Sequence, residues 1–312
     1  MIVGEETFDG TWPFEPRYSS RAGFEQHYVD EGPAGVESGG DALVLLHGEP
    51  TWGYLWRHLI APLSATRRVV VPDHMGFGKS ADPQDRSYSA VEHIANLESL
   101  LVDELELRDI TLVLHDWGGP IGTGFALNHP DRVRRIVAIN TFLPLGLAGQ
   151  LEAMAANFES AWFTWALRAN ADGSLEQVLG NAGDTVAHLM LALQTIARPA
   201  IVTPTWVRAY SALFTDRTAC QGAIRFPQQI VAPDGPLPPA LDPAAVAALQ
   251  AKPAMLAVGL QDTALLPTHV VAAFRAAYPT APVVELPEAG HFPPEDTPDT
   301  VLALLRLFMQ IS

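Results

Sequence analysis

The chain offers almost no thiol chemistry. It contains one cysteine, Cys220, among 312 residues. A lone cysteine cannot form an intrachain disulfide and cannot build a thiolate cluster around a metal ion. The ten histidines show no His-Glu-x-x-His or comparable spacing, so the sequence predicts no metal site.

Basic residues and long apolar runs are scarce as well. Nineteen lysines and arginines stand against 35 aspartates and glutamates, which gives a formal net charge of −16. Because like charges repel, this balance argues against nucleic acid and anionic membranes as partners. No run reaches the ~18 apolar residues that span a bilayer, and the first ten residues lack the basic start and apolar core of a signal peptide. We therefore expect a cytoplasmic protein.

What the chain does have is apolar sequence in short blocks. Apolar residues make up 48% of the chain, which excludes intrinsic disorder. Apolar runs without alternation occur at residues 42–46, 68–71, 110–114, 133–139, 254–258 and 282–286. Such runs are typical of strands buried on both faces, and stretches with helical spacing lie between them. The order predicts an α/β fold with a mostly parallel central sheet flanked by helices.

The alternation of strand and helix stops between residues 143 and 230. This stretch predicts only helices, at residues 151–169, 175–179, 185–197 and 205–213, and it leaves through a proline-dense connector at 226–243 that we expect to be irregular. The sequence thus predicts a core domain built from residues 1–142 and 231–312, and a helical cap domain over residues 143–230. We expect the cap to cover the carboxyl edge of the sheet, where such folds bind ligands.

A polar residue stands between a predicted strand and a glycine-rich helix start at residues 114–119 (LHDWGG). This pattern is typical of a nucleophile elbow, a sharp turn that exposes one side chain at the sheet edge. The exposed residue is Asp116, whose carboxylate could displace a good leaving group from carbon and form an alkyl–enzyme ester. The alternative interpretation is that Asp116 only caps the following helix.

Two further polar residues follow the last two predicted strands. His291 has the residue type of a general base, because the ordinary pKa of imidazole, ~6.5, lies near neutrality. Asp262 would orient that ring and stabilise its protonated form. Since parallel strands end at one edge of a sheet, the sequence predicts Asp116, His291 and Asp262 as a catalytic triad.

The turn at residues 47–50 (HGEP) ends an earlier strand. We expect it to direct the backbone N–H of Glu49 towards the site, where it would form an oxyanion hole with the backbone N–H of Trp117. Pro50 permits a cis peptide bond. The alternative is an ordinary turn at a strand end.

Four segments in combination resemble the haloalkane dehalogenases of the α/β-hydrolase superfamily. They are residues 47–57 (HGEPTWGYLWR), 72–80 (PDHMGFGKS), 115–119 (HDWGG), and Asp262 followed by 289–291 (AGH). The resemblance covers about residues 43–140 and 253–312 and implies the α/β-hydrolase fold with a helical cap. One branch of the family has its triad acid at the place of Asn140 here, and an asparagine at the place of Glu49. This chain is therefore similar to the other branch, with an Asp-His-Asp triad and two halide-binding tryptophans.

The resemblance implies Trp117 as the first halide-binding tryptophan. The second would come from the cap, where the candidates are Trp162, Trp165 and Trp206, and the spacing of residues 163–165 favours Trp165. Indole N–H groups are donors without negative charge, which suits a departing anion in a dry pocket.

The activity that the resemblance implies is hydrolytic dehalogenation of small haloalkanes through an alkyl ester on Asp116. The partners are then a small apolar halogenated substrate, water and a halide ion, and no cofactor is required. We expect a monomer or a small homo-oligomer.

Three alternatives stay open from the sequence. An epoxide hydrolase and a β-lactone-cleaving hydrolase would use the same aspartate nucleophile. An epoxide hydrolase usually protonates its alkoxide with two cap tyrosines, whereas Tyr210 is the only tyrosine between residues 143 and 230. A ligand receptor on a hydrolase fold is the non-enzymatic alternative, and the complete triad argues against it.

Overall fold

The computed structural model describes residues 2, 4–33, 41–192, 195–231 and 241–312. Eight strands form one sheet: β1 (Arg17–Ser19), β2 (Gln26–Glu31), β3 (Ala42–Leu46), β4 (Arg68–Pro72), β5 (Ile110–His115), β6 (Val133–Ile139), β7 (Ala254–Gly259) and β8 (Val283–Leu286). Their order in space is β1-β2-β4-β3-β5-β6-β7-β8. Strands β3 to β8 pair in parallel, while β2 runs antiparallel to β1 and β4.

Thirteen α-helices surround the sheet in the described part of the chain. They are α1 (Arg57–Ser64), α2 (Ala90–Glu98), α3 (Gly118–Asn128), α4 (Ala148–Ala156), α5 (Ala161–Asp172), α6 (Leu175–Leu179), α7 (Ala182–Ala192), α8 (Pro204–Ser211), α9 (Gln221–Val231), α10 (Pro243–Gln250), α11 (Pro267–Ala277), α12 (Pro293–Asp296) and α13 (Pro298–Ile311). The turn over Ser99–Glu104 continues α2 as a π-helix. None of these helices is both long and apolar enough to cross a membrane.

All six strands predicted from apolar runs are present, and every residue of β3 and β5 is buried. The predicted parallel α/β fold is therefore confirmed. The two antiparallel strands β1 and β2 were not predicted. Strand β2 is buried through polar residues: His27 Nδ1 lies 2.8 Å from Asp73 Oδ2, with both side chains fully buried. A search for apolar runs cannot find a strand of this kind.

Seven α-helices of the described chain, α4 to α10, lie between β6 and β7. We call residues 143–230, which contain α4 to α8 and nearly all of α9, the cap. The single helix predicted over residues 151–169 is wrong, because it divides at Ser160. The hydroxyl of this residue accepts the N–H of Phe163 and so caps α5. The predicted division of the chain into a core domain and a cap domain stays a prediction.

The connector predicted as irregular from residue 226 is also partly wrong. Helix α9 continues to Val231 and contains Pro227. Its residues Ala223, Ile224 and Phe226 are buried, and this burial offsets the hydrogen bond that a proline inside a helix removes. Residues 232–240 of the predicted connector lie outside the described residues.

The topology brings distant residues to one place. From β3 the chain moves to β4 on one side and then returns to β5 on the other, so the strand order reverses at β3. Ligands of open α/β sheets bind at such a switch point, beyond the carboxyl ends of the strands. The residues that follow the ends of β3, β5, β6, β7 and β8 there are Glu49, Asp116, Asn140, Asp262 and His291.

Candidate active site

Asp116 stands in the tight turn between β5 and α3. Its φ angle is 48°, in the left-handed region that side chains other than glycine rarely adopt. The turn packs directly against Gly48, where a Cβ atom would overlap Asp116 Oδ1 and lie 2.5 Å from the backbone nitrogen of Trp117. Helix α3 begins after Trp117, which makes no side-chain cap. The Asp116 carboxylate instead faces His291, which is the arrangement of a nucleophile elbow.

Two backbone N–H groups donate hydrogen bonds to the Asp116 carboxylate, and one imidazole nitrogen lies close to it. The backbone N–H of Glu49 donates to Oδ1 at 2.7 Å, and the N–H of Trp117 also donates to the carboxylate. Nε2 of His291 lies 3.4 Å from Oδ2. Burial alone would raise the pKa of Asp116, but His291 and the backbone donors outweigh it and hold this pKa below its ordinary value. The group is therefore an ionised carboxylate with Oδ1 fixed and Oδ2 facing the histidine.

His291 lies between two carboxylates. Its Nδ1 donates to Oδ2 of Asp262 at 2.8 Å, while its Nε2 faces Asp116. Although burial by itself lowers the pKa of His291, the charges of Asp262 and Asp116 together raise it to about 10. The resting imidazole is thus positively charged as long as Asp116 carries its negative charge.

The Asp262 carboxylate is fully buried and hydrogen-bonded on both oxygens. Nδ2 of Asn140 donates to Oδ2 at 2.7 Å, and the backbone N–H groups of Ala264 and Leu265 donate to Oδ1 at 2.8 and 3.0 Å. The supporting role of Asn140 was not predicted, although its place after β6 is visible in the sequence. These bonds fix the carboxylate that orients His291.

The histidine loop is clamped to the cap. The backbone N–H of His291 donates to the carbonyl of Thr195 at 2.8 Å. The carboxylate of Asp296 accepts the backbone N–H groups of Gly290, Ala197 and Arg198 at 2.8, 3.1 and 2.9 Å. Nothing in the sequence pattern indicated Asp296, because its two partners on the cap, Ala197 and Arg198, lie about a hundred residues earlier in the chain. The clamp connects the position of His291 to that of the cap.

Two of the three predicted triad residues, Asp116 and His291, line a cavity of about 290 Å³ between sheet and cap, and Asp262 lies behind His291. Most of its wall is apolar, with Phe142, Phe158, Val186, Met190, Leu265 and Phe292 among the lining residues. Trp117 lines the cavity as well, and its ring stacks on that of Phe226 with 4.5 Å between centroids. The cavity therefore surrounds an ionised nucleophile with apolar walls.

The cap contributes a tryptophan to this wall, and it is Trp162. The predicted residue, Trp165, is not among the cavity-lining residues. It packs on the outer side against Trp162, with 5.2 Å between ring centroids. Trp206 is fully buried against Tyr210 and also lies outside the wall. The cap tryptophan on the cavity wall is thus Trp162 and not Trp165, and the identity of a second halide donor stays a prediction.

Other candidate groups at the site are few. The peptide bond between Glu49 and Pro50 is cis. Tyr210, the only cap tyrosine, is buried outside the cavity, and its hydroxyl donates to Oε1 of Glu295 at 2.5 Å. Within the described ranges, no group of three or more histidine, cysteine or acidic side chains is arranged to hold a metal ion.

The chain is similar to known proteins along its whole length. A sequence profile of the alpha/beta hydrolase fold matches residues 41–298. The chain is 35% identical to a cis-3-alkyl-4-alkyloxetan-2-one decarboxylase of Xanthomonas campestris, over 97% of this chain and 98% of the relative. It is 32% identical to haloalkane dehalogenase 2 of Mycobacterium tuberculosis, over 94% of each chain.

A solved structure gives the same result in three dimensions. The tetrameric haloalkane dehalogenase DpaA of Paraglaciecola agarilytica superposes with a TM-score of 0.68 at 25% identity, over 97% of this chain and 94% of that one. Fold, site geometry and similarity agree, so the chain belongs to the alpha/beta hydrolase fold family and, within it, to the haloalkane dehalogenase family.

Proposed function

We propose that the protein hydrolyses carbon–halogen bonds of apolar haloalkanes and releases an alcohol, a halide ion and a proton. The observation that carries this proposal is the ionised Asp116 carboxylate, positioned beside His291 in an apolar cavity. The 32% identity with a haloalkane dehalogenase over nearly the whole chain supports it. No cofactor takes part in this reaction.

The first step is attack of Asp116 Oδ2 on the carbon that bears the halogen. The carbon–halogen bond breaks, the halide leaves with the electron pair, and an alkyl ester of Asp116 forms. Halide is a stable anion that needs no proton, so no acid is required at this step. The indole N–H groups of Trp117 and Trp162 are the donors on the wall that would stabilise the departing charge.

The second step is hydrolysis of the ester, and it depends on how the first step changes the pKa of His291. Once Asp116 is an ester, one of the two carboxylates that raise the pKa of His291 has lost its charge. The pKa of His291 therefore falls, and the imidazole gives up its proton and becomes a base. It then takes a proton from water, whose hydroxide attacks Cγ of Asp116. The Cγ–Oδ2 bond breaks, the alkoxide leaves as the alcohol with the proton of His291, and the remaining proton of the Asp116 carboxyl passes to His291, which restores the resting pair. The N–H groups of Glu49 and Trp117 stabilise the oxyanion, while Asp262 stabilises the imidazolium.

The cavity limits the substrate. A volume of about 290 Å³ equals that of about ten water molecules in the liquid, or on the order of ten non-hydrogen atoms. The apolar wall favours an alkyl chain without charge. We propose haloalkanes of moderate chain length as substrates. A cytoplasmic location and a monomeric or small homo-oligomeric state remain predictions.

A β-lactone is the second candidate substrate. The 35% identity with an oxetan-2-one decarboxylase, over 98% of that relative, favours it. Such a ring offers Asp116 a strained carbon–oxygen bond in place of a carbon–halogen bond. The two functions are distinguished by supplying both substrates to the same preparation.

Asp116→Asn tests the proposed function. Wild-type protein should release bromide from 1-bromohexane in many turnovers, and Asp116→Asn should lower kcat by at least ~10⁴-fold, because the nucleophile is lost. Halide release measured by ion chromatography gives the result, and Asp103→Asn at an exposed position is the matched control. If no halide is released from bromo- or chloroalkanes while a cis-3,4-dialkyl-β-lactone is turned over, the proposal is contradicted in favour of the second candidate. Binding without any turnover would point to a receptor.

Trp162→Phe should weaken halide binding about ten- to a hundredfold, since a hydrogen bond to a charged group contributes ~1.5–3 kcal/mol. The dissociation constant for bromide, obtained from quenching of tryptophan fluorescence, measures the effect. Trp165→Phe removes a neighbouring indole that does not line the cavity and should leave this constant unchanged. A larger effect from Trp165→Phe than from Trp162→Phe would reject Trp162 as the second donor.

A further inference from the structure

The Glu49 side chain lines the cavity but has no role in the mechanism above, which uses only the main-chain N–H of this residue. Glu49 is 7% exposed, and its Oε1 is buried without a hydrogen-bond partner in the described part of the chain. Its N–H lies 2.7 Å from Oδ1 of Asp116, so the carboxyl group belongs to a residue in direct contact with the nucleophile. A carboxyl oxygen buried there without a partner calls for a chemical explanation.

The pKa values of the two carboxyl groups of the cavity are shifted in opposite directions. Burial, and then the negative charge of Asp116, raise the pKa of Glu49 well above its ordinary value. Asp116 has its charge stabilised by His291 and by backbone donors, and Glu49 has no comparable partner. The site thus favours the ionised form of Asp116 and the protonated form of Glu49, a division of roles that separates a nucleophile from a proton donor.

No other neutral acid of this kind lines the cavity among the described residues. Its titratable lining residues are Glu49, Asp116 and His291, and it has no tyrosine, lysine or cysteine. The hydroxyl of Tyr210 is directed to Glu295 instead. A substrate whose leaving atom is oxygen must receive a proton as its bond to carbon breaks, because an alkoxide is a poor leaving group. Glu49 is placed to supply that proton, a role that the halide does not require.

We propose that Glu49 is a catalytic proton donor to an oxygen leaving group, and that the cavity therefore also hydrolyses epoxides that carry an apolar chain. This inference rests on the proposed function, because it uses the same nucleophile and the same activated water.

The reaction balances within the residues of the site. Asp116 Oδ2 attacks an epoxide carbon, the carbon–oxygen bond breaks, and the oxygen takes the proton of Glu49, leaving a hydroxyalkyl ester and a Glu49 carboxylate. His291 deprotonates water, and the hydroxide attacks Cγ of Asp116. The second alkoxide leaves with the proton from His291, and the proton that remains on the Asp116 carboxyl returns to Glu49. His291 gives its resting proton to solvent when Asp116 loses its charge and takes a proton back when the Asp116 carboxylate is restored. One epoxide and one water thus give one diol, and all three residues recover their starting states.

Glu49→Gln is the decisive variant, because it keeps the size of the side chain and the main-chain N–H but cannot give up a proton. Wild-type protein should convert 1,2-epoxyhexane to hexane-1,2-diol. The variant should lose ~10²–10⁴-fold in kcat/KM on this epoxide, the usual contribution of a general acid. The loss should be at least tenfold smaller on 3,3,3-trifluoro-1,2-epoxypropane, whose alkoxide is stabilised and depends less on protonation. Circular dichroism and the melting temperature verify that the variant is folded.

The outcomes separate this inference from the proposed function. Bromide release by wild-type protein without any epoxide hydrolysis would overturn the inference alone. Equal losses of Glu49→Gln on both epoxides and on 1-bromohexane would overturn it too, because a structural defect slows every substrate alike. Epoxide hydrolysis without bromide release would overturn the proposed function, while an unequal loss on the two epoxides would still support the role of Glu49.

Discussion

His291→Gln should release one halide ion per active site from a bromoalkane and then stop. Formation of the alkyl ester needs only the Asp116 carboxylate and the halide donors, whereas hydrolysis of the ester needs a base. Nε2 of His291 lies 3.4 Å from Asp116 Oδ2 and is the only cavity-lining imidazole among the described residues. Without it the ester persists, and steady-state turnover should fall by several orders of magnitude.

Two measurements check this result on the same sample. Rapid-quench halide analysis should show a burst of about one equivalent, and intact-protein mass spectrometry should show the added mass of one alkyl group. His188→Gln, at an exposed position on the cap, is the matched control and should turn over normally. Continued turnover by His291→Gln with no covalent adduct would show that another group activates the water.

In the wild-type protein, hydrolysis of the alkyl ester should depend on pH. The pKa of His291 is raised to about 10 by Asp262 and Asp116, although burial opposes this. The ester intermediate lacks the Asp116 charge, so the base becomes available at a lower pH than in the free protein. Hydrolysis of the ester should therefore accelerate with rising pH and level off below pH 10.

Glu295→Gln should cost ~3–5 kcal/mol of the free energy of unfolding, the effect of leaving one partner of a buried ion pair without its counter-charge. The carboxylate of Glu295 accepts hydrogen bonds from Nη1 and Nη2 of Arg57, at 2.5 and 2.8 Å, and from the hydroxyl of Tyr210. The Arg57 side chain is 8% exposed and that of Glu295 is 1% exposed. Water therefore cannot replace the lost charge at the guanidinium.

Urea unfolding followed by circular dichroism measures the loss. Glu288→Gln, on an exposed residue of the same chain segment, should change the free energy of unfolding by less than ~0.5 kcal/mol. Tyr210→Phe should cost only ~1–2 kcal/mol, because it removes one hydrogen bond and leaves the ion pair intact. A loss below 1 kcal/mol in Glu295→Gln would mean that the ion pair contributes little to the docking of α8 on the core.

The cap tryptophan on the cavity wall shows where prediction from sequence ended. Trp162 and Trp165 lie on the same helix, α5, and their spacing relative to the family pattern favoured Trp165. The face of α5 that meets the cavity depends on how the cap helices pack. This helix begins separately from α4, after its N-cap residue Ser160. Three residues along a helix correspond to nearly one full turn, so neighbouring positions on one face still differ in depth. Only the packed cap places Trp162 on the wall and Trp165 behind it.

The sequence alone determined the parallel α/β fold, because six short apolar blocks have no alternation and so must be buried on both faces. It also singled out Asp116, His291 and Asp262, because each follows such a block within about five residues and all strands of a parallel sheet end at one edge. The tertiary structure decided what depends on contacts between distant segments. These are the clamp of Asp296 on the cap, the support of Asp262 by Asn140, the identity of the cap tryptophan on the cavity wall, and the raised pKa of Glu49. Burial and neighbouring charges are properties of the packed molecule, and no local pattern of residues encodes them.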